Sequence, residues 1–195
     1  MQVPKRGKED TVASLLIADA QRDVRRTYVG GFYGQLVSGA VWLAAAAVGT
    51  WGSTGAAAAT LWFGGMLIFP LTTLALRAAG RPAALPAGHP MNALAMQIAF
   101  TVPLGLLVPL ALLGQRPDLF IPASMIIVGA HYLPFVFLYG LRLFAVLAAV
   151  LVGGGVVLAT AVTAPLGFGA WATAAVLVVF AFLLRTSARE ATDAA

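Results

Sequence analysis

The sequence contains no cysteine, and only 10% of its 195 residues are charged. The first absence excludes thiol nucleophiles, iron–sulfur clusters, Cys-ligated zinc and disulfides. The second separates the chain from soluble domains, in which about 25% of residues are charged. Histidine is scarce too, with only His89 and His131, so no His cluster exists to hold zinc. The seven acidic residues all fall outside the long apolar runs. Proton relays and cation pumps usually place Asp or Glu inside the bilayer, which argues against a carboxylate-driven antiporter. Phosphoryl transfer lacks the carboxylates that would hold magnesium. The net charge of +5 is spread through an apolar chain and makes no basic face, so no nucleic-acid partner is expected.

What the chain has in abundance is apolar surface: 61% of residues are hydrophobic, and the mean hydropathy is +0.92. A spanning helix needs roughly 20 mostly apolar residues, each adding about 1.5 Å across a core of about 30 Å. Six stretches qualify: Gly31–Thr50, Gly55–Leu76, Asn92–Gly114, Leu119–Gly140, Leu143–Val162 and Phe168–Leu184. The runs are continuous rather than alternating, which speaks against a β-barrel. The expected fold is an all-α bundle of six transmembrane helices, with residues 28–185 forming the membrane domain. Such a bundle leaves no room for a soluble catalytic domain, and no enzymatic role is expected.

Charge then orients the bundle. With the N-terminus inside, the inner segments hold Lys5, Arg6, Lys8, Arg22, Arg25, Arg26, Arg77, Arg81, Arg142, Arg185 and Arg189. The outer connections hold only Arg116, beside Asp118. Both termini are therefore expected in the cytoplasm. Trp51, Trp62 and Trp171 fall in outer halves and Tyr28, Tyr33 and Tyr139 near the inner boundary, as interfacial rings do. Trp42 lies deeper and reads as packing.

Residues 1–27 are too polar for a signal peptide. From Asp10, a candidate N-cap, Val12, Leu16, Ala20 and Val24 recur at helical spacing. Arginines flank that stripe, so a short amphipathic helix on the inner surface is expected, facing anionic lipid headgroups. Residues 186–195 read as a disordered tail.

Small residues mark close helix approaches. Gly30, Gly34 and Ser38 follow a small-xxx-small pattern, and Gly153, Gly154 and Gly155 give the fifth span a similar surface. Within-chain packing is the first expectation for them, with a homodimer contact as the alternative. Prolines interrupt three successive spans at Pro70, Pro103 with Pro109, and Pro122 with Pro134. Each removes a backbone donor and frees a carbonyl that needs a partner in lipid. Spans two to four are thus expected to be irregular, with helix breaks at Pro70, Pro103 and Pro134. The Gly65–Pro70 and Gly129–Pro134 segments also echo one another, as in a duplicated hairpin.

The polar residues inside the apolar runs are few. Gln35 and Ser38 lie on the first span, Thr72 and Thr73 on the second, Gln97 and Thr101 on the third. Ser124, His131, Leu138 and Arg142 share heptad-like spacing, and Asn92 begins the third span. These fall in the middle or inner half of spans one to four, which points to a cytoplasm-facing polar cavity. His131 is the one ionisable group near a span centre. A Ser124–His131 catalytic pair is excluded by two helical turns of separation. Interhelical hydrogen bonding explains such residues equally well, at roughly 0.6 kcal/mol each on average.

The segments Gly64–Leu71 (GGMLIFPL) and Gly129–Gly140 (GAHYLPFVFLYG), with Asn92 to Gln97, resemble an uncharacterised family of small bacterial integral membrane proteins. The resemblance covers about residues 28–160 and implies a multi-pass protein of the bacterial inner membrane. It implies no activity or substrate, and it singles out Gly129, His131, Tyr132 and Pro134.

The leading expectation is a small transporter or channel-like protein. Its ligand-binding or pore-lining residues would be His131, Tyr132, Gln97, Thr101, Gln35, Ser38 and Asn92, and a homodimer is its corollary. The alternatives are a non-catalytic scaffold binding a partner or anionic lipid, and a haem- or quinone-binding protein using His131.

Overall fold

A computed structural model describes residues 6–162, 165 and 167–193, with side chains from Leu16 onward. Lys5 and the side chains of Arg6, Lys8 and Val12 lie outside the described residues. The chain folds as α1 (Arg6–Tyr28), a short turn (Val29–Gly31), α2 (Phe32–Trp51) and α3 (Thr54–Ala78). After a loop come α4 (Asn92–Gly105), α5 (Leu107–Leu112), α6 (Phe120–His131) and α7 (Leu133–Tyr139). Then α8 (Leu143–Thr160) and α9 (Phe168–Asp193) complete the fold, and no strand occurs among the described residues.

Six segments are long and apolar enough to cross a membrane: Leu16–Trp51, Thr54–Ala78, Asn92–Leu112, Pro117–Tyr139, Leu143–Thr160 and Phe168–Asp193. The third is α4 with α5, and the fourth is α6 with α7. Local chemistry sets several boundaries. Ser53 N-caps α3 by accepting a hydrogen bond from the Ala56 amide at 3.2 Å. Gly140 closes α7 in the left-handed conformation at φ +65°, where a side chain would be strained.

Four elements form the centre. α2 packs between α3 and α9, α6 packs along α8, and α8 meets α9. Without a hydrophobic force between helices in lipid, close packing has to supply the stability. The α6–α8 crossing shows how. A Cβ on Gly129 would lie 2.9 Å from Leu151 Cβ and from the Val152 amide nitrogen. A Cβ on Gly155 would lie 2.7 Å from the Pro122 carbonyl oxygen. Trp42, at 1% exposure, is a packing residue as its depth suggested.

α3 and α4–α5 are peripheral by comparison. In their most apolar stretches only 11% and 17% of residues are buried, against 44% in the first, fourth and sixth spans. Phe63, Phe69, Phe100 and Leu104 are among the large side chains they leave exposed.

Four expectations are corrected. Asp10 is not an N-cap, because α1 already begins at Arg6. The tail after Arg185 is helical, since α9 continues to Asp193 and buries Leu184 and Ala188. Arg142 does not share a helical face with Ser124 and His131, because α7 ends at Tyr139 and Gly140 reverses the backbone. Arg25 does not face headgroups: it is 7% exposed, and its guanidinium donates to the Tyr139 and Ala191 carbonyls at 2.8 and 3.3 Å.

The turn joining α1 to α2 makes that last contact possible. Val29, Gly30 and Gly31 have φ of +54°, +64° and +86° in succession. Two glycines adopt this readily, whereas for Val29 it is a strained state of order 1–3 kcal/mol. The reversal swings α1 back against α7 and α9. Gln21 reinforces it by donating to the Phe137 carbonyl at 2.6 Å.

Candidate functional site

The prolines of spans two to four have unequal effects. α3 continues through Pro70 without interruption, so the Gly65–Pro70 echo of Gly129–Pro134 does not carry the same backbone. In the third span Pro103 lies inside α4, and the helix gives way at Leu106. In the fourth, α6 stops at His131 and α7 starts at Leu133 with Pro134 in its first turn. Pro134 has no amide hydrogen, so the Ala130 carbonyl loses its usual donor four residues on. The chain tightens here: the Tyr132 amide donates to Gly129 O at 3.0 Å, and the Phe135 amide to Tyr132 O at 3.1 Å.

Two side chains leave this break in productive directions. The His131 ring turns towards α4, where Nδ1 lies 2.7 Å from Thr101 Oγ1. The Tyr132 hydroxyl faces α2, beside the Ser38 and Gln35 side chains. Both partners are buried, at 5% and 3% exposure. The two rings meet edge-on, with centroids 5.5 Å apart. A polar seam therefore crosses the bundle from α2, through the break, to α4.

Aromatic rings extend the seam towards Gly140. Phe135 contacts the His131 ring at 5.0 Å and stacks on Tyr139 at 5.6 Å. Phe144, fully buried on α8, touches Tyr132, Phe135 and Tyr139. Such a wall holds the break rigidly against α8. Its far end is where Arg25 meets the Tyr139 carbonyl.

The remaining sequence candidates do not join this seam. Gln97 is exposed on α4, one turn before Thr101. Asn92 is spent on loop structure, donating from Nδ2 to the Pro86 carbonyl at 2.9 Å. Ser124 is fully buried two turns up α6, and its hydroxyl has no partner. Thr72 Oγ1 is likewise buried without a partner, facing Gly34 across α2 and α3. His89 is distant in role as well as sequence. Its Nδ1 accepts from the Met91 amide at 3.2 Å, and its Nε2 lies 3.5 Å from Asp23 Oδ2. An open apolar groove of about 450 Å³ runs between α2 and α3, and His131 does not line it.

Arg25 and Gln21 are the functional-scale contacts that periodicity did not reveal. An arginine flanking an amphipathic stripe gives no sign that it will cap two helix ends. The cue was Gly140, a C-cap glycine that leaves the carbonyls before it in want of donors.

Six helices long and apolar enough to cross a membrane, two of them in broken pairs around a polar seam that is buried at its α2 end and exposed at Thr101, are the features of a multi-pass membrane protein. The family described as "Family of unknown function (DUF7010)" matches residues 17–187, and the chain belongs to it. No curated protein and no solved structure matches the chain.

Proposed function

We propose that this is a small transporter or channel-like protein of a bacterial plasma membrane, with both termini in the cytoplasm. A small solute binds at the break in the fourth span, beside His131. The observation that carries this reading is the His131–Thr101 hydrogen bond. It ties together two Pro-interrupted spans, one of them a loosely packed peripheral helix. Uncoupling the pair lets α4 move without disrupting the α2–α9 and α6–α8 core. Pro-broken helices with binding groups at the break recur in transporters, because an irregular backbone is tolerated where it lines a path. The eleven-to-one distribution of basic residues supports the orientation. A homodimer is the corollary of this reading, since six helices enclose little volume alone.

The test is solute flux into vesicles reconstituted with the pure protein, using glycerol and urea as first probes. Wild-type vesicles equilibrate faster than protein-free ones, and His131→Ala or Thr101→Val slows them. Equal rates for wild type, both variants and empty vesicles would sink the proposal.

A second reading, a lipid- or partner-binding scaffold, draws on Arg26, Arg142 and Arg189, which are exposed near the inner helix ends. It predicts that replacing all three with Gln abolishes binding to vesicles rich in anionic lipid, with flux unaffected.

A further inference from the structure

The hydrogen bonds around Thr101 fix which nitrogen of His131 carries the proton. Thr101 has one hydroxyl hydrogen, and Oγ1 lies 2.7 Å from both Ile98 O and His131 Nδ1. The Ile98 carbonyl can only accept, so a contact of that length takes the hydroxyl hydrogen. The threonine oxygen is then an acceptor towards His131, and the hydrogen between them belongs to Nδ1. The opposite assignment sets two lone-pair oxygens 2.7 Å apart. Neutral imidazole holds one hydrogen, so Nε2 is left as a lone-pair acceptor. Among the described residues no hydrogen bond reaches that nitrogen, and the ring is only partly buried.

A second acceptor lies on the other side of the Tyr132 ring. Gln35 is 3% exposed, sits beside the Tyr132 hydroxyl, and its side-chain oxygen has no hydrogen-bond partner. Leaving a buried acceptor unpaired is unfavourable, and the Tyr132 hydroxyl beside it is a donor that can turn to it. The Tyr132 ring lies between the two, touching the imidazole edge-on. No acidic side chain lies within the described length of α2, α4, α6 or α7.

We infer that the site beside His131 selects neutral solutes bearing O–H or N–H donors, and rejects anions and donor-free acceptors. The selective atom is His131 Nε2, and Thr101 is a positioning residue that holds it in the accepting tautomer. Anions are rejected because they would meet a lone pair with no compensating cation. This specificity rests on the reading that solute binds at the break, and it adds the chemical class of that solute.

The experiment is ¹⁵N NMR of the His131 ring in lipid nanodiscs, on His89→Gln protein so that only one histidine reports. The expected spectrum has Nδ1 protonated and Nε2 bare. Glycerol and urea each move the Nε2 resonance saturably, while dimethyl sulfoxide and formate do not. Thr101→Val, checked by its cooperative melting to remain folded, lets the Nε2–H form appear and weakens the urea response at least several-fold. A protonated Nε2 in the wild type overturns the inference, as does a saturable response to formate or dimethyl sulfoxide, or none to any probe. A haem absorption band that depends on His131 also overturns it, since iron would then hold the lone pair. Flux results are separate: vesicles without His131-dependent flux but with the expected NMR response reject transport and leave the donor-selective site standing.

Discussion

Arg25 donates from Nη1 to the Tyr139 carbonyl at 2.8 Å, joining the N-terminal helix to the end of the fourth span. The same guanidinium reaches Ala191 O and Thr192 Oγ1 near the end of α9. Two helix C-termini, each with a partial negative charge, thus share one buried cation without any carboxylate. Two of the three acceptors it satisfies are carbonyls that a helix end leaves open.

Removing that cation exposes both helix ends. Arg25→Ala is expected to cost about 2–3 kcal/mol, the scale of a charged hydrogen bond and a partly buried helix-end charge. Arg25→Lys recovers part of it, since an ammonium keeps the charge but not the planar fork. Thermal unfolding in detergent measures the loss, and faster tryptic cleavage at Arg22 and Arg26 reports release of α1. Unchanged melting and cleavage would show that α1 is held by other contacts.

The α6–α8 crossing yields a prediction with a built-in control. Gly129→Ala and Gly155→Ala each push a methyl against backbone atoms that cannot move aside. Overpacking of this kind costs about 1–3 kcal/mol. Gly153→Ala meets nothing within 4 Å and is expected to be neutral, although it neighbours Gly154 and Gly155. Melting temperatures of the three variants check the order. Equal effects at 153 and 155 would mean that the three glycines act through helix propensity, not through the crossing.

The six long apolar helices were legible in the sequence because hydropathy and length are the physical requirements for spanning. The segment ends agree within two residues, except that the first apolar segment begins at Leu16 rather than Gly31 and α9 runs on to Asp193. There Leu184 and Ala188 continue the buried face into a stretch that reads in the sequence as a disordered tail. The site was legible in part. His131, Tyr132, Thr101, Gln35 and Ser38 fall on one seam, since polar groups inside lipid seek each other. Gln97 and Asn92 looked equivalent in depth, but depth says nothing about the face of a peripheral helix or about loop caps. Arg25 was invisible for a different reason: its role depends on α1 folding back, which three consecutive left-handed residues impose.

Thr101→Val tests how much of α4's docking depends on the seam. The variant removes one interhelical hydrogen bond, and such bonds in membranes average roughly 0.6 kcal/mol. A small loss of stability is expected, below that of Arg25→Ala. His131→Ala in the Thr101→Val background should add little further loss, because the two side chains share one interaction. A double-mutant cycle measures the coupling, and fully additive losses would show that the bond contributes nothing.

The absence of cysteine makes the orientation directly measurable, because any thiol introduced is the only one present. Ala79, Gln115 and Glu190 are all exposed, the first after α3, the second between α5 and α6, the third near the end of α9. With both termini inside, Gln115→Cys in intact cells reacts with a membrane-impermeant maleimide. Ala79→Cys and Glu190→Cys react only after the membrane is opened. The charge distribution predicts this pattern, since in that orientation Arg116 beside Asp118 would be the single basic residue on the outer side. Labelling of Ala79→Cys and Glu190→Cys in intact cells, with Gln115→Cys protected, would invert the bundle. It would also put α1 and its exposed arginines outside, and the lipid-binding scaffold would lose its anionic surface.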